Sequence, residues 1–206
     1  MEHGILIILS GPSGTGKGTI CRELLHRHPK LHYSISATTR APRAGEENGV
    51  NYFFLSREEF TDLIDSDNLL EYAEVYGNYY GTPRQQVMKL LAAGQDVVLE
   101  IDIQGAMQVK EKFPEGVFIY IVPPSLEELS ERINKRGTDS PEAIKCRLSA
   151  ATDELSLAHQ YDYVIVNDEV GAAVNRVMAI IEAERHRVKR NRDLIERICR
   201  DGCALE

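Results

Sequence analysis

Ten residues near the start of the chain, Ser10–Thr19, read SGPSGTGKGT and restrict the fold more than any other stretch. They follow an apolar run, Ile5–Leu9, and lead into a segment of helical character, Thr19–His26. Strand, glycine-rich loop and helix in that order make a phosphate-cradling P-loop. Its glycines admit backbone conformations that other residues resist, so successive N–H groups can turn onto one anion. The following helix adds the positive end of its dipole. Lys17 supplies a point charge for the outer phosphates. The predicted nucleotide-binding residues are Gly11, Pro12, Ser13, Gly14, Thr15, Gly16, Lys17, Gly18 and Thr19. One position departs from the pattern: the Ser or Thr whose hydroxyl binds Mg²⁺ after the lysine is replaced by Gly18, and Thr19 comes one residue late.

A chain of 206 residues holds one compact α/β domain with small insertions. Its net charge of −8 argues against a general nucleic-acid binder, which needs a basic face. An acidic protein that handles anions must concentrate positive charge locally, so the arginine positions matter. The longest apolar runs, such as Val117–Pro124, fall far short of the roughly 20 residues a membrane span needs, and no signal peptide is legible. Cys21, Cys146, Cys199 and Cys203 lack CxxC spacing or a ligand cluster. They read as reduced thiols of a cytoplasmic protein.

Along the chain, Leu31–Ser36 alternates like a strand and is followed by the polar stretch Ala37–Asn51. Asn51–Leu55 is a short strand, Ser56-Arg57-Glu58-Glu59 a capping box opening a helix to Ile64, and Leu69–Tyr76 a strand turning at Gly77-Asn78. Thr82-Pro83 reads as an N-cap with proline at the first helical position, and Gly94 closes that helix. Val97–Ile101 and Val117–Val122 are buried-type strands and Tyr163–Val166 is the last strand, with helices such as Gly105–Phe113 between them. Such alternation implies a parallel sheet covered on both faces. Ser125–Glu128 is a second capping box, with Leu126, Leu129 and Ile133 on one face, ending at Arg136-Gly137; Ser140-Pro141 starts the next helix. Val170, Val174, Val177, Met178 and Ile181 form a final helical stripe. The expected division is core 1–32, inserted α+β lobe 33–82, core 83–124, helical lid 125–147, core 148–184 and C-terminal extension 185–206.

Arginines form three sets: Arg40 with Arg43 in the lobe, Arg132 with Arg136, and Arg147 in the lid. Guanidinium forks match phosphate oxygens and stay charged. Flanking a P-loop, they suit transfer between two phosphate groups, where positioning and electrostatics do most of the work. A phosphate acceptor has a second pKa of about 6 and needs no strong base. That fits a chain whose histidines form no catalytic pattern.

The segments GPSGTGKGT, SATTRAPRAGEENGVNY, LLEYAEVYGNYYGT, VLEIDIQGA, RGTDSPEAIKCRL and VIVND together resemble guanylate kinase, from about Ile5 to Glu184. The resemblance implies a three-layer P-loop α/β fold and transfer from ATP to GMP with Mg²⁺. It implies that Arg40, Arg43, Tyr52 and Tyr80 hold the GMP phosphate, and that Ser36, Glu71 and Thr82 read guanine. Asp102, with Glu100, lies by the acceptor and the metal, helping either Mg²⁺ waters or the guanine; helix N-capping is the plainer alternative. Lys17, Arg132, Arg136 and Arg147 correspond to the catalytic cations, and Asn167 lies near adenine.

Two rival readings are weaker. A scaffold domain binding phosphopeptides would lack the loop lysine or the lid arginines. A kinase for AMP or a pyrimidine monophosphate would not carry the Ser36–Thr82 lobe. With phosphates on both sides, Mg²⁺ is expected on phosphate oxygens and water rather than on a protein side chain, so Gly18 is tolerated. The basic run Arg185–Arg192 reads as a solvated helix face, with a contact between copies as the other option.

Overall fold

The structure, a computed structural model, describes residues 3–75, 77–135 and 152–203. In chain order the first elements are β1 (Leu6–Ser10), α1 (Lys17–Arg27), β2 (His32–Tyr33), β3 (Ala37–Thr38), β4 (Phe53–Phe54) and α2 (Arg57–Asp65). Next come β5 (Leu69–Val75), β6 (Asn78–Pro83), α3 (Arg84–Ala92), β7 (Val97–Glu100), α4 (Ile103–Lys112) and β8 (Val117–Val122). The last are α5 (Leu126–Lys135), β9 (Tyr163–Val166), α6 (Val170–Arg185) and α7 (Arg192–Cys203).

Every residue of β1 is buried, which requires a layer of structure on each face. The strand sits in the middle of a five-stranded sheet of order β2-β7-β1-β8-β9, and all its pairings are parallel. Side chains alternate between faces with the period of the pleat. Ile7 and Leu9 pack with Ile119 and Ile121 against Ile20 and Leu24 of α1 and Val174, Val177 and Ile181 of α6. Leu6 and Ile8 pack with Leu99 and Phe118 against Val87 and Leu91 of α3 and Ala106 and Val109 of α4. Each such side chain contributes about 1.5–3 kcal/mol on burial. The three-layer core therefore has the expected form.

The second sheet, of order β4-β3-β6-β5, is the inserted lobe. β3 pairs parallel with β4 and antiparallel with β6, and β5 with β6 is an antiparallel hairpin. Phe60 of α2 stacks on Tyr79 at 5.3 Å and buries against Leu69 and Ala37. The capping box at Ser56 is complete, with Oγ accepting from Glu59 N at 3.1 Å and Glu59 Oε2 accepting from Ser56 N at 2.7 Å. On the edge strand β5, the Gln108 side chain of α4 bonds both backbone groups of Tyr72, at 3.1 and 3.0 Å.

Several boundaries differ from expectation. α1 begins at Lys17, directly after the loop. Of Leu31–Ser36 only His32 and Tyr33 form a strand, because the chain then leaves the core sheet for β3. β5 ends at Val75, and Tyr76 lies outside the described residues. β6 runs through Pro83, which is itself the N-cap of α3 in an extended conformation. The Thr82 hydroxyl does not cap that helix; it bonds Glu71. In α5, Leu129 and Ile133 are buried but Leu126 is 46% exposed. The turn at Arg136-Gly137 and the helix start at Ser140-Pro141 lie outside the described residues. Cys21 and Cys199 are free thiols, and burial pushes Cys21 up to about 12, so it stays protonated. No helix among the described residues is long and apolar enough to cross a membrane.

The basic run after α6 is only partly a solvated face. Arg187 bonds the buried Glu184 carboxylate at 2.9 Å, Arg190 lies 3.8 Å from it, and Tyr163 donates to it at 2.7 Å. Arg185 pairs with Asp96, whose Oδ1 also accepts from Ile5 N at 2.8 Å. Asp96 thus fixes the start of β1 beside β7 and sets the register that carries the P-loop at the other end. Asp96→Ala leaves the Ile5 N–H unpaired in the core. It should lower the unfolding free energy by about 2 kcal/mol, read by urea denaturation; a loss near zero would refute this anchoring role.

Candidate active site

The P-loop is held from behind by its carbonyls. The Thr15 carbonyl accepts from Asn167 Nδ2 at 2.7 Å and from Arg132 Nη1 at 3.5 Å. The Pro12 carbonyl accepts from Thr15 Oγ1 at 2.9 Å, and the Gly16 carbonyl from Thr19 N at 3.0 Å. Lys17 Nζ lies back over the loop, on the carbonyls of Gly11 at 2.6 Å and Pro12 at 3.0 Å. Gly11, at φ +141°, passes so close to β8 that a Cβ there would stand 2.2 Å from the Ile121 carbonyl. Gly16 caps α1 at φ +89°, and a Cβ there would be 2.4 Å from Asn167 Nδ2. Both positions therefore require glycine. Gly14 lies under Leu129 and Ile133 of α5, while Ser13 and Thr19 are exposed.

Gly18 has a structural reason of its own. A Cβ at this position would sit 3.1 Å from Glu100 Oε1. The space that a loop hydroxyl would fill faces a half-buried carboxylate, raised by burial and drawn down by Lys17 and Arg22. Arg132 of α5 stands beside the loop, with Nη2 on the Asn167 carbonyl at 2.9 Å and Nε on Glu128 at 3.0 Å. Arg136 and Arg147 lie outside the described residues.

At the carboxyl ends of the strands, a cavity of about 180 Å³ is lined by Ser36, Tyr52, Glu71, Tyr80, Glu100 and Asp102, among others. This is the edge at which open α/β sheets hold ligands. A larger hollow of about 580 Å³, bordered by His3, Gly4 and Phe113, opens at the opposite edge. Glu71 is 7% exposed, and its Oε1 accepts from the Thr82 hydroxyl at 2.6 Å. Burial, opposed by the bonds from Thr82 and helped by Asp102, raises it from its ordinary 4.5 to about 7. Asp102 caps α4, its Oδ1 accepting from Gly105 N at 2.7 Å, and still lines the cavity. Asp102 is thus the N-cap of α4 and a lining residue at once.

Arg40 stacks over Tyr52 at 5.6 Å and Phe54 at 5.8 Å, and Tyr52 meets Tyr80 edge-on at 6.0 Å. The Glu46 carboxylate joins the two arginine positions, accepting from Arg40 Nη2 at 2.9 Å and from Arg43 N at 2.8 Å. The Arg43 side chain itself is exposed. The sequence reading gave Glu46 no role, although its place three residues after Arg43 was a usable signal. It also passed over Glu154, whose carbonyl accepts from Tyr120 OH at 2.7 Å. Burial raises the Glu154 carboxyl, Lys17 lowers it and Asp102 raises it. Nothing in the local sequence separates Glu154 from an ordinary surface acid.

The family profile described as Guanylate kinase matches residues 3–184. The chain belongs to the guanylate kinase family. It is 59% identical to the guanylate kinase of Desulfitobacterium hafniense over 92% of this chain and 94% of that one. It is 58% identical to the guanylate kinase of Caldanaerobacter subterraneus over 96% of each. In three dimensions it is similar to the crystal structure of guanylate kinase from Anaplasma phagocytophilum, with a TM-score of 0.73 and 36% identity over 95% of each chain. The guanylate kinase resemblance seen in the motifs thus extends to the whole fold.

The buried Glu71 has a consequence for stability. Its folded value near 7 lies above the ordinary 4.5. Its contribution is therefore fully present below about pH 4.5 and is lost as pH rises through 7. Glu71→Gln in the ligand-free protein should flatten this decline, gaining stability relative to the parent between about pH 5 and pH 8 in a urea series. Parallel stability curves would contradict it.

Proposed function

We propose that the chain transfers the γ-phosphoryl group of ATP to GMP, giving ADP and GDP. The observation that carries this reading is Glu71: a buried carboxylate facing a small cavity beside a P-loop, with one oxygen held by Thr82. Guanine offers N–H donors at N1 and N2 that a single carboxylate can accept together. Adenine has no N2 amine and would leave the carboxylate unpaired in a dry site, a large penalty. A coupled ADP-release assay with GMP, AMP and pyrimidine monophosphates as acceptors tests it directly.

In this reading Ser36, Thr82 and Glu71 orient the base, while Arg40, Arg43, Tyr52 and Tyr80 hold the acceptor phosphate. Arg40 is already aimed by its stack on Tyr52 and its bond to Glu46. The loop backbone from Gly11 to Thr19 cradles the donor phosphates. Lys17 exchanges its carbonyl partners for phosphate oxygens. One oxygen of the GMP phosphate forms the new bond to the γ-phosphorus as the bond to the ADP oxygen breaks. Arg132, with Arg136 and Arg147 from a lid of residues 125–147, bears the charge on the moving group.

The donor set suits Mg²⁺ that arrives with ATP. Among the described residues no group of His, Cys, Asp or Glu could hold a metal alone, and Gly18 offers no hydroxyl. Glu100, beside Gly18, and Asp102 would bind the ion's waters. When bound, Mg²⁺ neutralises phosphate charge and polarises the transferred group. The acidic chain serves small nucleotides rather than nucleic acid, in the cytoplasm.

Lys17→Met should lower kcat by roughly 10³-fold, the scale of one charged transition-state donor, and leave GMP affinity within a few-fold. Loss of GMP binding with retained turnover would sink the donor-site assignment. Glu71→Gln should raise KM for GMP by roughly 100-fold, as expected for a charge-assisted pair worth about 3 kcal/mol. The AMP value should change little, and an unaltered GMP-to-AMP preference would remove Glu71 as the base reader.

A further inference from the structure

Gly105 lies inside α4, three residues after the N-cap Asp102, in ordinary helical backbone. Nothing in that backbone calls for glycine, which weakens a helix relative to alanine. The reason for it is space. A Cβ at this position would stand 3.0 Å from Glu71 Oε2, 3.3 Å from Asp102 Oδ1 and 3.4 Å from Glu71 Cδ. These nearest atoms all belong to two carboxylates that line the cavity, and none to the apolar core on which Ala106 and Val109 pack.

Neither carboxylate is free to back away from such an atom. Glu71 Oε1 is held by the Thr82 hydroxyl at 2.6 Å, and Asp102 Oδ1 accepts from Gly105 N itself at 2.7 Å. The strand that carries Glu71 is held as well. Gln108, one turn further along the same face of α4, bonds both backbone groups of Tyr72 at 3.1 and 3.0 Å and so keeps β5 at its present distance from the helix. A methyl group at residue 105 would therefore turn the Glu71 carboxylate rather than lift the strand.

We propose that Gly105 is a positioning residue for base selection, its missing side chain being the clearance in which the Glu71 carboxylate keeps its plane turned to the base. This rests on the reading of Glu71 as the acceptor for guanine. A carboxylate that accepts from N1–H and N2–H together must present its oxygens at a fixed angle, and paired charge-assisted bonds weaken steeply once that angle is lost. Glycine here gives up helix strength for alignment of the reader.

Gly105→Ala in the full chain should raise KM for GMP roughly tenfold, narrow the GMP-to-AMP preference by a similar factor and leave KM for ATP within about twofold. In a Glu71→Ala background the same change should move KM for GMP by less than about twofold, because the group it displaces is gone. Urea denaturation gives a second reading that needs no nucleotide. Without the Glu71 carboxylate, alanine at residue 105 should raise the midpoint, as its helix propensity dictates; with the carboxylate present, the midpoint should rise less or fall. The GMP-to-AMP ratio of the parent chain tests the guanine reading, and the difference between the two backgrounds tests Gly105. An unchanged KM for GMP, an equal rise for ATP, a penalty of the same size in both backgrounds, or a midpoint that shifts alike with and without Glu71 would each overturn the proposal.

Discussion

The Thr15 carbonyl is the point on which the site depends. Asn167 from the end of β9 and Arg132 from α5 both reach it, 152 and 117 residues away in sequence. A loop that grips an anion must turn its N–H groups inward, so its carbonyls must find partners on the other side. Here those partners come from the end of the last core strand and from α5. The cradle is thus assembled only when the whole sheet is in place, and a shift of β9 or α5 would be felt at the phosphates. Close passage of Gly11 over Ile121 fixes the loop from the strand side as well.

The cavity at the carboxyl ends of the strands gathers the carboxylates Glu71, Glu100 and Asp102 beside the hydroxyls of Ser36, Tyr52 and Tyr80. Burial raises both Glu71 and Glu100 above their ordinary values. Glu46 bonds Arg40, which stacks beside Tyr52.

Much of this was legible in the sequence where local chemistry and tertiary need agree. β8 was bounded correctly because a strand buried on both faces reads as an unbroken apolar run; β9 reads as such a run too, although at the sheet edge Val164 and Val166 are exposed. Ser56 and Glu59 announced α2 because both partners of a capping box lie within four residues. Thr82 was misread for the reverse reason: Thr-Pro is a good helix start locally, but the buried Glu71 oxygen competes for the hydroxyl and wins. Leu126 and the arginines after α6 were misjudged because their partners, or lack of cover, are set by distant parts of the chain. Within the site, Ser36, Tyr52, Glu71, Tyr80 and Asp102 do converge, and Arg43 joins them only through its backbone and Glu46. Glu154 was invisible, since its position beside the loop lysine arises from the fold alone.

The Gln108 amide on β5 bears on how this protein lives at high concentration. The inserted lobe is an open sheet, and an open sheet exposes a row of unpaired donors and acceptors to any passing strand. β4, at one margin, is only two residues long. At the other, Gln108 imitates a neighbouring strand by occupying both the N–H and the carbonyl of Tyr72. A side chain of the core thereby takes up one residue's pair of hydrogen-bonding groups on that edge and narrows the stretch open to strand addition.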